Sequence, residues 1–143
     1  MAPQSFQNHT RRVPGFLAVG FVLLLCLIGG SVNLYKSIGD HQRLYSAALV
    51  LVLTLCVLAV AVYARTFALK AQDRAIRAEE SIRHFILTGK PLDSRLEPLQ
   101  IVALRFASDD EFPALAARAA EHNLQPDDIK KQVKYWRQDT HRA

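Results

Sequence analysis

The chain has 143 residues, half of them hydrophobic, and 18 Lys and Arg against 13 Asp and Glu give it a net charge of +5. Two uncharged apolar runs, residues 13–35 and 44–64, leave about eighty residues after Ala64 as the only candidate water-soluble module. That suffices for a small helical domain with a thin core and falls short of a typical enzyme fold. A basic excess beside apolar runs is explained by membrane topology and anionic lipid, which disfavours nucleic acid as a partner. Cys26 and Cys56 both lie inside the apolar runs, which argues against a disulfide framework or a zinc site.

Residues 1–12 read as a polar N-terminal tail ending in Arg11 and Arg12. Basic residues before an apolar run can mark a secretory signal. The run that follows, however, exceeds the usual apolar region of about 7–15 residues, and no small-x-small cleavage site comes after it. Pro14, tolerated at a helix start, opens a first span over residues 14–35. Gly20, Gly29, Gly30 and Ser31 on this span would let a neighbouring helix approach closely. A short loop, residues 36–43, with Gly39 and Asp40 at its turn, leads to a second span over 44–64, so residues 13–64 form a transmembrane hairpin. Tyr35, Tyr45 and Tyr63 stand at segment ends, as interfacial aromatics do. Arg11, Arg12, Arg65, Lys70, Arg74 and Arg77 flank one side, and Lys36 and Arg43 the other. The positive-inside rule then places both termini in the cytoplasm.

Neither Gly nor Pro occurs between Leu44 and Thr88, and the stop comes at Gly89, Lys90 and Pro91. The pattern predicts one continuous helix of roughly 65 Å, about twice the hydrocarbon thickness of a bilayer. Residues 65–90 are therefore a charged helical stalk outside the membrane. On it Ala68, Ala71, Ala75, Ala78, Ile82 and Phe85 follow an alternating three-and-four spacing that puts them on one face. This stripe either pairs with its copy in a second chain or receives the helices that follow. Leu69 and Ile76, which widen the apolar surface, favour the second. Asp73 with Arg77, Glu79 with Arg83 and Glu80 with His84 have the spacing of helical ion pairs. Arg65, Lys70, Arg74 and Arg77, with Arg11 and Arg12, are also candidate lipid-headgroup contacts.

Residues 91–143 predict a small bundle of short helices. Glu97 and Pro98 read as N-cap and first helical residue of a helix reaching Ala107. Ser108 and Glu111 have capping-box spacing for a helix reaching about His122, with Asn123 as its C-terminal cap. Pro126, Asp127 and Asp128 open a last helix whose inward face is Ile129, Val133 and Trp136 and whose later turns carry Lys130, Lys131, Lys134 and Arg137. No strand pattern, repeat or low-complexity tract is present.

Several stretches carry a resemblance: residues 8–12, 65–70 and 72–77 with Glu79 and Glu80, then 87–92, 103–109, 129–131 and Trp136 with Arg137. Together they resemble a family of small bacterial two-span membrane proteins of unknown function. The charged stretch after the second span is the most specific part. The resemblance implies a bacterial inner-membrane location and brings no activity, substrate or catalytic residue.

The search for chemistry returns no catalytic, cofactor-binding or metal-ligating set. His9, His41, His84, His122 and His141 lack metal-ligand spacing, and no phosphate-binding glycine loop or nucleophile elbow occurs. The acidic run from Asp109 to Glu111 is explained by capping. The spans hold no ionisable residue of the kind that marks a conduction path. The expectation is an all-α membrane protein with a non-enzymatic role, as an interaction scaffold or accessory subunit, in a homo-oligomer or larger membrane complex. The alternative is a small subunit of a transporter or channel.

Overall fold

The computed structural model describes residues 5–8 and 13–139. Arg11 and Arg12, named above as headgroup contacts, and His9 and His141 lie outside the described residues. The described chain is helical throughout its named elements: α1 (Pro14–Lys36), α2 (His41–Thr88), α3 (Pro98–Leu104), α4 (Phe112–His122) and α5 (Pro126–Gln132). The chain divides into two units, Arg12–Phe67 and a second comprising Ala68–Ala143 with the N-terminal residues, and the division falls within α2.

In the first unit, α1 starts at Pro14, where the missing amide hydrogen is no loss. It ends in a turn in which Ser37 donates its side-chain hydroxyl to Asn33 O at 2.8 Å and Gly39 takes φ +100°. Asp40 then accepts the amide of Arg43 and opens α2. Gly30 is buried against Leu51, where an added Cβ would stand 3.5 Å from Leu51 Cδ1. Ala47 and Ser37 are buried as well, and Arg65 lies over the Phe16 ring at 5.7 Å. Small residues thus mark the close approach, while most large apolar side chains of both helices remain exposed within the chain. Ser31, Thr54 and Thr66 return their hydroxyls to helix carbonyls one turn back, so these polar groups are satisfied locally.

In the second unit, Gly89 at φ +69° ends α2, a conformation that a side-chain-bearing residue would reach with strain. The loop after it is pinned by Asp93, which accepts both the amide and the guanidinium of Arg95. The Arg95 side-chain hydrogen bond, followed by its backbone amide, holds the Asp93 carboxyl down at about 2. The core is assembled from α3, α4 and α5. Leu104, Phe106, Phe112, Leu115 and Ile129 are fully buried, with Ala103, Ala107, Ala116 and Ala119 filling the close approaches. Of the apolar residues that the spacing assigned to these helices, Ile101, Leu104, Phe106, Phe112, Leu115, Ala116, Ala119, Ala120, Ile129 and Val133 are in this core, while Val102 and Trp136 are half-buried. Glu97 and Gln100 form a reciprocal capping box at α3, and Gln100 Nε2 also donates to Leu124 O at 2.9 Å and Asn123 Oδ1 at 3.1 Å. Asn123 closes α4 in the left-handed region, as its residue type allows.

Three sequence expectations are corrected. The helix expected to reach Ala107 stops at Leu104, because Ala107 forms an antiparallel bridge with Trp136 and Phe106 O accepts the Arg137 amide at 2.7 Å. The helix expected to open at Ser108 begins at Phe112. The Glu111 carboxylate accepts the Ser108 amide as a capping box requires, but it also takes the amides of Lys134 and Tyr135, both at 3.1 Å. The last helix, expected to continue through Trp136, ends at Gln132, where the backbone turns extended at Val133. The same carboxylate explains this: holding both amides of the bend at Lys134 and Tyr135 competes with another helical turn.

Gln100→Leu removes the capping box and the clasp on Asn123 and Leu124 together. It is expected to lower the stability of this unit by about 1–3 kcal/mol, read by urea unfolding followed through Trp136, the only tryptophan. Separately, carboxyl NMR should titrate Asp93 near 2, and Arg95→Ala should return it toward the ordinary 3.8. Because the folded value is the lower one, the stability it adds is present above 3.8 and is lost as pH falls through about 2.

Candidate interaction surface

Beyond Phe67 the side chains of α2 divide between two faces. One face is covered by the small helical module. Ile76 and Glu80 are buried there, and Gln72, Arg83, His84 and Thr88 are half-buried. Helical phase puts these residues together, because spacings of three and four repeat from 72 to 88.

Arg83 is the centre of this contact. Its Nη1 meets Glu80 Oε2 at 2.8 Å, Nη2 donates to Ala107 O at 2.7 Å, and Nε donates to Asp109 Oδ1 at 2.7 Å. The guanidinium also lies over the Phe112 ring at 4.5 Å, and His84 meets the same ring edge-on at 5.8 Å. Arg137 Nη1 approaches the other Glu80 oxygen at 3.6 Å. Glu80, only 4% exposed, is thereby matched by two guanidinium groups, which offsets the cost of burying its charge. Alongside, Arg105 Nε faces Asp139 Oδ2 at 2.8 Å and its guanidinium stacks over Phe106. Thus Arg137 and Asp139 fasten the C-terminal segment to α2 and to the turn that follows α3. A hollow of about 420 Å³ opens between Gln72, Glu79, Arg105 and Gln138.

The other face is exposed and borders the module only at the hollow that Ala75 and Glu79 also line. Ala68, Ala71, Ala75, Ala78, Ile82 and Phe85, the stripe read from the sequence, are all exposed. Ile82 is 61%, Phe85 57% and the adjoining Ile86 75% exposed. The following helices leave the stripe residues exposed rather than burying them. The module sits on the face of Ile76, Glu80, Arg83 and His84, because a half-buried, multiply paired arginine and an aromatic ring hold it there and alanines offer neither. Among the headgroup candidates, Lys70, Arg74 and Arg77 are exposed and Arg65 is half-buried.

Among the described residues no expected i,i+4 ion pair forms: Arg83 takes Glu80 at i,i+3, and Asp109 from the module. The sequence reading missed Glu80 and Arg83 as docking residues, and Arg137 and Glu111 as anchors of the C-terminal segment. Their one signal was an unusual density of charges on a face adjoining Ile76. Among the described residues no three His, Cys, Asp or Glu side chains converge as a metal site.

Taken together these features define an all-helical protein with two helices long and apolar enough to cross a membrane and a small helical module packed on one face of the second. The chain matches the model of the Family of unknown function (DUF6526) over residues 1–143, and it belongs to that family. Among curated proteins and among solved structures, nothing matches it.

Arg83→Met leaves Glu80 with only the longer Arg137 contact, and is expected to destabilise the module by about 3 kcal/mol. The double change Glu80→Leu with Arg83→Met should recover much of that loss, since the uncompensated buried charge is gone. Urea unfolding read by Trp136 fluorescence checks both.

Proposed function

We propose that the protein is a bacterial inner-membrane protein held by a two-helix hairpin, with both termini cytoplasmic, and that its helical module and stalk serve a non-enzymatic interaction role as a scaffold or accessory subunit. The observation that carries this reading is uncovered apolar surface. Only 6% of the most apolar window of α1 and 11% of that of α2 is buried within the chain. A core helix of a water-soluble protein is largely buried, and a soluble monomer rarely leaves a contiguous apolar patch larger than a few hundred Å² in water. Lipid is the solvent that suits this surface, and helical backbone satisfies its own hydrogen bonds there. Lys and Arg at Arg65, Lys70, Arg74 and Arg77 against Lys36 and Arg43 support the orientation.

A second reading, a small subunit of a transporter or channel complex, draws on Gly20 and Gly29. Among the described residues, apart from adjoining residues and its own helix backbone, nothing lies within 4 Å of a Cβ placed at either, so the same helix offers small-residue surface to neighbours of another chain.

The test is extraction and labelling of the full chain carrying Cys26→Ala and Cys56→Ala. It should stay with membranes in alkaline carbonate. A cysteine at His41→Cys should react with an impermeant maleimide on intact spheroplasts, and one at Lys90→Cys only after lysis. Release by carbonate would sink the membrane reading; the opposite labelling pattern would invert the orientation.

A further inference from the structure

We infer that two copies of this chain pair in parallel and in register through the exposed face of α2, with Arg74 of each copy meeting Glu79 of the other. The inference deepens the interaction role proposed above and rests on both copies sharing one membrane orientation.

The alanines alone would not carry it. The apolar weight comes from Ile82, Phe85 and Ile86, each more than half exposed, on a helix whose opposite face is already filled by its own module. Ala68, Ala75 and Ile82 fall on one heptad position, and Ala71, Ala78 and Phe85 on the other core position. In that register Ile76, Glu80, Arg83 and His84, which hold the module, all fall on the outer positions of a two-stranded coil. The module therefore occupies mainly the back of the helix and reaches one edge of the seam, where Ala75 and Glu79 line the hollow shared with Arg105, Arg137 and Asp139.

Charge decides which occupant suits the seam. In a parallel, in-register pair, the residue just before a core position faces the residue five further along the partner helix. Arg74 then faces Glu79, and two-fold symmetry makes the pair twice. Both side chains are exposed, and neither forms an ion pair within the chain among the described residues. The next flanking pair, Ser81 with Ile86, brings no like charges together. Two chains held by the same bilayer side are already parallel, and their confinement raises the effective concentration that so short a seam needs.

The experiment uses the full chain in proteoliposomes of phosphatidylethanolamine and phosphatidylglycerol, with Cys26→Ala and Cys56→Ala. Mild oxidation should yield a disulfide dimer from Ala75→Cys and from Ala78→Cys, and at least about fivefold less from Arg77→Cys on the outer face. In the Ala78→Cys background, Arg74→Glu or Glu79→Arg alone should lower the dimer yield about threefold or more, and the two together should restore it. Equal yields at all three positions, absent dimer at Ala75→Cys and Ala78→Cys, or a double reversal no better than the singles would each overturn the pairing. Carbonate extraction of the same vesicles separates the two failures. Chain that pellets without forming the dimer overturns the pairing alone, and chain that washes out overturns the membrane reading with it.

Discussion

Uninterrupted helical phase through α2 is the constraint on which the rest of the molecule depends. From Ala68 to Thr88 no glycine or proline breaks the hydrogen-bond ladder, so each side chain in this part of α2 has its direction set by its helical neighbours. That phase brings Ile76, Glu80, Arg83 and His84 to one face and Ala71, Ala75, Ala78, Ile82 and Phe85 to another. A glycine in this stretch would loosen the relation between the faces, and none occurs. The helix ends where it must, at a glycine in the left-handed region, and the chain turns back to build the module.

The module is held by a polar contact more than by a greasy one. Burying Glu80 is unfavourable in isolation, and it is tolerated because Arg83 brings a short ion pair, a carbonyl acceptor on Ala107 and a ring beneath its guanidinium. Such an arrangement adds little net stability over an apolar equivalent, but it is demanding in geometry. A one-residue slip along α2 would strand both charges. Glu111 works in the same manner at the other end of the module, where one carboxylate gathers three backbone amides and shapes the C-terminal segment.

Local signals were legible because their physics is local. Pro14, Gly89, Pro98, Asn123 and Pro126 mark helix ends through backbone geometry that each residue carries with it, and all five stand where the sequence places a boundary. The core residues of α3, α4 and α5 were equally legible from their spacing. The misplaced boundaries, at Leu104, Phe112 and Gln132, share one cause. Each is decided by the C-terminal segment from Val133 to Asp139, whose partners Phe106, Ala107 and Glu111 lie more than twenty residues away along the chain.

By itself the sequence determined the helical class, the two apolar helices, the unbroken run into charged sequence and the stripe at Ala68 through Phe85, since each follows from composition, breakers or period. Only the tertiary structure decided which face of α2 the module covers. Periodicity reports that a face is apolar, and it does not report whether a better partner lies on the face beside it. Here the better partner was Arg83 with Glu80, whose value depends on Ala107, Asp109, Phe112 and Arg137 arriving together, a coincidence that only the folded chain supplies.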